Sequence, residues 1–144
     1  MKKFLLIALL ALTAQTAIAA PEGVVYTWKV EKVLDGDTVK FQVPFLPAPL
    51  KPVLSVRVLG VDTPEKKPRH HCDKEDALAQ KASAFTKETV AKAKVVQVKL
   101  VDWDKYGGRV LGDVLIDGKP LSELLIENGL ARAYFGEKKS DWCI

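Results

Sequence analysis

A strand that has to end in charge constrains this chain more than any other feature. Residues 57–65 read RVLGVDTPE. Val56, Val58 and Val61 mark the near-continuous apolar pattern of a buried strand, and Pro64 stops it. Arg57, Asp62 and Glu65 therefore place one positive and two negative side chains on the strand's end and on the turn leaving it. Charge is costly at the edge of a core unless it is paired or used by something bound there.

The remaining segments arrange themselves around that strand. Residues 24–34 are rich in β-branched and aromatic side chains and read as a first strand; Asp35-Gly36 is a turn dipeptide, and residues 38–43 alternate as a second strand. Pro44, Pro47, Pro49 and Pro52 break any ladder, so residues 44–52 form a stiff apolar loop before the third strand, 53–61. A basic loop, 66–72, leads to a helix beginning at Asp73. Its first turn is acidic (Asp73, Glu75, Asp76), and Leu78, Ala82, Phe85 and Thr89 share one face. Residues 94–101 read as a fourth strand, 104–108 as a turn and 109–116 as a fifth strand. Pro120 at a first helical position and Gly129 past the end bracket a short helix through Leu121, Leu124 and Leu125. Residues 130–144 carry no clear periodicity, and the chain has no internal repeat. The expectation is a mainly β, α+β domain: a five-stranded OB-fold barrel with a helix between strands 3 and 4 and a short helix after strand 5. That architecture binds nucleic acid through its loops and one face.

The start of the chain reads as an address. Lys2 and Lys3 precede an apolar run too short to span a bilayer, and Ala17-Ile-Ala19 is a small-residue cleavage signal. Residues 1–19 are thus expected to be a cleaved signal peptide, and 20–144 a single exported domain, periplasmic or secreted, with no membrane anchor. Without Lys2 and Lys3 the formal charge falls from +4 to about +2. So weak a global field leaves nucleic-acid contacts to local clusters. Export also gives Cys72 and Cys143 a meaning: an even pair in an oxidising compartment favours a disulfide over two separate thiols. Closing a loop of about seventy residues would stabilise the fold by roughly 4 kcal/mol.

Asp35 and Asp37 flank one turn, and Asp62 and Glu65 flank another. On neighbouring strands these carboxylates would approach one point and repel unless a cation sat between them; all-oxygen ligands suit Ca²⁺ or Mg²⁺ rather than zinc. Pro64 holds Thr63 extended, which fixes the direction of a carbonyl able to join the ligands. Taken singly, each acidic pair is an ordinary turn or strand exit. Arg57 and Arg109 give them a joint meaning, because guanidinium groups grip phosphate oxygens in a fork. Two arginines, a carboxylate-bound cation and a spare carboxylate are the parts needed to hydrolyse a phosphodiester.

From about residue 30 to 134 the sequence resembles the staphylococcal nuclease (thermonuclease) family. Five ordered segments carry the resemblance: VLDGDTV at 33–39, RVLGVDTPE at 57–65, ASAFTK at 82–87, DKYG at 104–107 with Arg109, and NGLA at 128–131. The resemblance implies a Ca²⁺-dependent nuclease on an OB barrel, acting on DNA and RNA, cleaving at the 5′ oxygen and leaving 3′-phosphate ends. It also implies that Asp37 and Asp62 ligate Ca²⁺ by side chain and Thr63 by its carbonyl, with Asp35 in the outer sphere. Glu65 matches the general base, Arg57 and Arg109 the phosphate-binding arginines, and Lys105, Tyr106 and Tyr134 the nucleotide contacts. Gly107-Gly108 adds one residue before Arg109 relative to the family's best-known member, an insertion the turn is expected to absorb. That member's long C-terminal helix has no counterpart expected here, and a Cys72–Cys143 bridge would replace its tethering role.

His70, His71 and Cys72 do not have the spacing of a four-ligand zinc site. Lys66, Lys67 and Arg69 read either as a solvated loop or as contacts to a substrate backbone; Trp103 could stack a base or, like Trp28 and Trp142, cover the core. The competing reading is a non-catalytic OB-fold nucleic-acid-binding module, which has no need of Asp37, Arg57, Asp62, Glu65 and Arg109 together. A secreted metal-binding or adhesion domain would explain the carboxylates but not the arginines. A monomer with DNA and RNA as partners, and no obligate protein partner, is expected.

Overall fold

The computed structural model describes residues 23–144, so the expected leader and its cut lie outside the described residues. In chain order the elements are β1 (Val25–Tyr26), β2 (Val30–Asp35), β3 (Thr38–Gln42), β4 (Val53–Val58) and β5 (Val61–Asp62). Then come α1 (Asp73–Lys92), β6 (Val96–Trp103), β7 (Val110–Ile116), β8 (Lys119–Pro120), α2 (Leu121–Glu127) and β9 (Arg132–Ala133). The domain is mostly sheet with two helices, and the expected five strands survive as β2, β3, β4, β6 and β7. Two are interrupted: residues 27–29 separate β1 from β2, and a turn at Leu59-Gly60 separates β4 from β5. Gly60 sits at φ +79°, a conformation most side chains resist, and a Cβ there would lie 3.2 Å from the Phe135 ring.

Strand order shows why the sheet curls. The hydrogen-bonded path runs β1-β6-β7-β4-β3-β2, with β4 parallel to β7 and every other pair in it antiparallel. The two ends of that path, β1 and β2, are joined by three residues. Six flat strands would put those edges roughly 24 Å apart, whereas four Cα–Cα steps from Tyr26 to Val30 reach at most about 15 Å. The sheet must therefore roll toward a barrel. Alternation follows the roll: in β7, Val110, Gly112, Val114 and Ile116 point inward, and Leu111, Asp113 and Leu115 are only half-buried. The interior is filled by Val33, Val39, Phe41, Val56, Val58, Val98 and Val114, and α2 adds Leu121 and Leu125.

The β2–β3 hairpin turns through Gly36 and Asp37, since Asp35 pairs with Thr38; the turn lies one residue later than the dipeptide reading placed it. Helix α1 packs against that turn more closely than the sequence suggests. The Thr86 hydroxyl donates to the Gly36 carbonyl at 2.7 Å, and a Cβ at Gly36 would stand 2.8 Å from that of Ala82. Small residues on the helix make this approach possible. Its fully buried stripe is accordingly Glu75, Ala79, Ala82, Ser83 and Thr86; of the expected face, Ala82 belongs to it, while Leu78, Phe85 and Thr89 are half-buried, Phe85 packing against the core.

Cys72 caps α1, its sulfur accepting from the Glu75 amide at 3.4 Å. The same sulfur is bonded to Cys143 across 71 residues of sequence, as parity and compartment predicted. Pro120 stands at the N-cap of α2 rather than inside its first turn, and Gly129, with φ +67°, follows the helix as expected. The aperiodic tail has a fold after all: β9 pairs antiparallel with β5, Asp62 opposite Arg132, and Trp142 is buried.

Candidate active site

One open cleft of about 670 Å³ brings together nearly all the residues singled out above. Asp35, Asp37, Arg57, Thr63, Glu65, Lys105, Tyr106, Arg109 and Tyr134 line it. Asp62 lies beneath the floor, 3 % exposed, beside Asp37 and Thr63 at 6 % each. These groups come from the β2–β3 turn, the end of β4, the β5 exit, the β6–β7 turn and the tail. The barrel's pairing decides their positions. Thr38 sits opposite Arg57, and the Val58 amide donates to the Asp37 carbonyl at 2.8 Å, so Asp37 is held at the level of Arg57.

Arg57 ties the acidic floor together. Its Nη2 is 3.6 Å from Asp37 Oδ2 and 4.0 Å from Asp62 Oδ1, and the Thr38 hydroxyl donates to Asp37 Oδ1 at 2.9 Å. The two carboxylates thus flank one guanidinium. Asp35 is drawn off to the side, where Lys66 Nζ lies 2.7 Å from its Oδ1 and also donates to the Leu34 carbonyl. Glu65 faces Arg69 at 3.2 Å, and its amide donates to Glu75 Oε1 at 3.1 Å. Among the described residues no three acidic, histidine or cysteine side chains form a preformed metal cage. Asp37, Asp62 and the Thr63 carbonyl still offer the oxygen donors that a hard cation takes, with water completing its shell.

On the β6–β7 side of the cleft, Arg109 stands immediately before β7. Gly107 and Gly108, at φ +70° and +71°, form the exposed turn that leads to it. Buried Asp104 receives Arg109 Nε at 2.9 Å and Nη2 at 2.6 Å. Burial pushes the Asp104 carboxyl up, but the Arg109 hydrogen bond and charge outweigh it and leave its pKa below the usual aspartate value. Nη1 donates to no protein group among the described residues, which leaves a side of the guanidinium available. Tyr106 and Trp103 are exposed at the same rim.

Sequence reading missed the contacts that two tail residues make with Asp62. The Trp142 indole N–H donates to Asp62 Oδ2 at 3.2 Å, and its ring lies under the Arg132 guanidinium at 4.0 Å. Lys139 Nζ reaches Asp62 Oδ1 at 2.7 Å and Glu65 Oε1 at 3.6 Å. Burial opposes the Lys139 charge, yet Asp62 and then Glu65 hold its pKa above the ordinary lysine value. Phe135 and Gly136 complete the cleft's wall. One signal pointed here: a bridge from Cys72 to Cys143 necessarily brings Trp142 beside the loop that follows Glu65.

The neighbouring basic loop is spoken for. Lys66 pairs with Asp35, Lys67 with Asp73 at 3.7 Å and Arg69 with Glu65. His71 Nδ1 lies 2.8 Å from Glu75 Oε2, and the Cys72 sulfur is consumed by the disulfide rather than held for zinc. Glu75 is a buried carboxylate whose pKa burial raises. Hydrogen bonds from the His71 and Glu65 amides, with the His71 ring, bring it below the usual glutamate value.

The profile of the family described as staphylococcal nuclease homologue matches residues 55–142, from within β4 to Trp142. Among curated proteins, the chain is 32% identical over 133 residues to "Endonuclease YhcR" of Bacillus subtilis (strain 168), covering 86% of this chain and 10% of that one. It is 36% identical over 115 residues to "Endonuclease YncB" of the same organism, covering 74% and 47% respectively. To the "Thermonuclease" of Staphylococcus hyicus it is 35% identical over 117 residues, covering 76% and 60%. The matched region thus spans between a tenth and three fifths of these relatives' lengths. With the profile covering more than half of the sequence and running through Arg57, Asp62, Glu65 and Arg109, the chain belongs to the staphylococcal nuclease homologue family.

Proposed function

We propose that residues 20–144 form an exported, monomeric, Ca²⁺-dependent nuclease that hydrolyses phosphodiester bonds of DNA and RNA and leaves 3′-phosphate ends. The observation that carries this reading is the cleft's pairing of opposites. Arg57 and Arg109 approach from different strands, while the buried Asp37–Asp62 pair and the Glu65 carboxylate lie between and beneath them. A structural ion-pair cluster would bury all of these charges away from solvent; here Asp37, Arg57, Glu65 and Arg109 line an open groove that a nucleic-acid strand can enter, with Asp62 buried below it.

Asp37, Asp62 and the Thr63 carbonyl would hold the ion. When bound, it supplies positive charge beside the phosphate and stabilises the negative charge that builds in the transition state. Arg57, kept in place by the two aspartates, offers its remaining donors to a phosphate oxygen. Arg109, clamped on one side by Asp104, offers Nη1 to another, so the reacting phosphorus is gripped from two directions. Glu65 accepts a proton from the water that attacks phosphorus; the bond to the 5′ oxygen breaks, and the departing oxygen takes a proton from solvent water to leave as a hydroxyl. Lys105, Tyr106 and Tyr134 flank the groove where the nucleotide would lie, the aromatic rings supplying stacking surface.

Digestion of single-stranded DNA by the purified protein, with Ca²⁺ and with chelator, tests the reading. No cleavage in millimolar Ca²⁺ would overturn the nuclease, and an undiminished rate in chelator would overturn the metal role. Product ends that a polymerase extends without prior phosphatase treatment would refute the 3′-phosphate assignment.

A further inference from the structure

The tail does more than wall the cleft. We propose that Lys139 is a tethered cation that occupies the Asp62–Glu65 charge site and must leave it when a divalent ion binds. Its ammonium lies 2.7 Å from Asp62 Oδ1 and 3.6 Å from Glu65 Oε1, where it neutralises carboxylates that would otherwise repel. Asp62 Oδ2 is already taken by Trp142, and Arg57 is 4.0 Å from Oδ1, so an incoming ion competes with Lys139 for the same oxygen atom. The inference rests on the reading of Asp62 as a metal ligand.

Two features hold the lysine in reach without fixing it in place. The buried Trp142 and the Cys72–Cys143 bond anchor the tail three and four residues beyond Lys139. Between β9 and Trp142 the chain has no regular structure, and the Lys139 side chain is 44% exposed. A four-carbon stem on such a segment can swing its head into the groove, beside Glu65 and the incoming phosphate, without the backbone undocking. The divalent ion and Lys139 thus share the work: the lysine balances the carboxylates in the metal-free protein and adds a cation at the substrate's edge once displaced.

Competition of this kind reduces apparent affinity by the fraction of molecules in which the site is open. If Lys139 occupies Asp62 in nine molecules of ten, its removal tightens binding about tenfold. Titration of Ca²⁺ into the metal-free protein by calorimetry reads this directly, using the wild type, Lys139→Met, Lys139→Arg and, to identify the site, Asp62→Asn. The expected result is about tenfold tighter Ca²⁺ binding for Lys139→Met, near-wild-type affinity for Lys139→Arg, and loss of the binding heat in Asp62→Asn. Equal or weaker affinity in Lys139→Met, with wild-type binding intact and abolished by Asp62→Asn, would overturn the displacement while leaving the metal site standing. Absence of binding in every form would overturn both. Circular dichroism of each variant verifies that a changed affinity is not a changed fold.

Discussion

The Cys72–Cys143 bond gives the most quantitative prediction. It spans 71 residues, and removing it releases the unfolded chain from a loop of that size. The loop-closure expression gives about 4 kcal/mol at 25 °C. The perturbation is the double variant Cys72→Ser/Cys143→Ser. Serine suits the N-cap position, so the cap of α1 survives and its loss does not contaminate the measurement. Native-state losses add to the entropic one, because Trp142 neighbours the bridge and its bond to the buried Asp62 carboxylate depends on a docked tail. A net loss of about 3–5 kcal/mol is therefore expected. Urea unfolding followed by far-ultraviolet circular dichroism measures it, and the slope is expected to rise in the double variant because its unfolded chain is no longer held in a loop. That loss is a large part of a small domain's stability. A decrease below about 1 kcal/mol would refute the account.

Three further predictions rest on other contacts. Asp104→Asn removes the buried charge that clamps Arg109 and is expected to lower the turnover of single-stranded DNA about ten- to a hundredfold with the fold intact; an unchanged rate would show that Arg109 needs no clamp. Gly36→Ala drives a Cβ to 2.8 Å from that of Ala82 and is expected to cost about 1–3 kcal/mol, with a compensating coupling when combined with Ala82→Gly; strict additivity in thermal unfolding would contradict the close approach. Glu75 has a folded pKa below its usual value of 4.5, so its contribution is present above about pH 4.5 and is lost as pH falls through the lower folded value. Acid unfolding of Glu75→Gln should therefore show a shallower loss of stability below that pH than the wild type, and parallel curves would sink the assignment.

How much of this was legible follows from what each residue answers to. The strands were readable because alternation and turn chemistry are local, and so was the placement of Asp37, Arg57, Asp62, Glu65 and Arg109 at strand ends and turns around one cleft. The cysteine pair was readable from parity. The buried stripe of α1 was not, because its position depends on how closely Gly36 lets the helix approach, and that is a property of the pair rather than of either segment. Asp104 stood inside a motif but revealed no partner, since its link to Arg109 requires the turn through Gly107 and Gly108 to fold back. Lys139 and Trp142 were invisible to periodicity. A tail without regular structure has no repeating face, and only the disulfide locates it.

The sheet's pairing has a consequence for the order in which the molecule assembles. β2, β3 and β4 form one run of neighbouring strands, and β6 and β7 form a hairpin; each block closes over short loops. The seam between them, Val56 opposite Val110 in the parallel β4–β7 pair, joins residues more than fifty apart. Non-local contacts of this kind are slow to form because the chain between them must be ordered first. Asp37, Arg57 and Asp62 belong to the first block or its exit, and Arg109 to the second, so the cleft comes into being only when the seam zips. Truncating Val56 or Val110 should therefore slow refolding in stopped-flow measurements more than an equally destabilising change inside either block. A chain halted before that step would carry Arg57 and Arg109 on separate blocks, with no cleft yet between them.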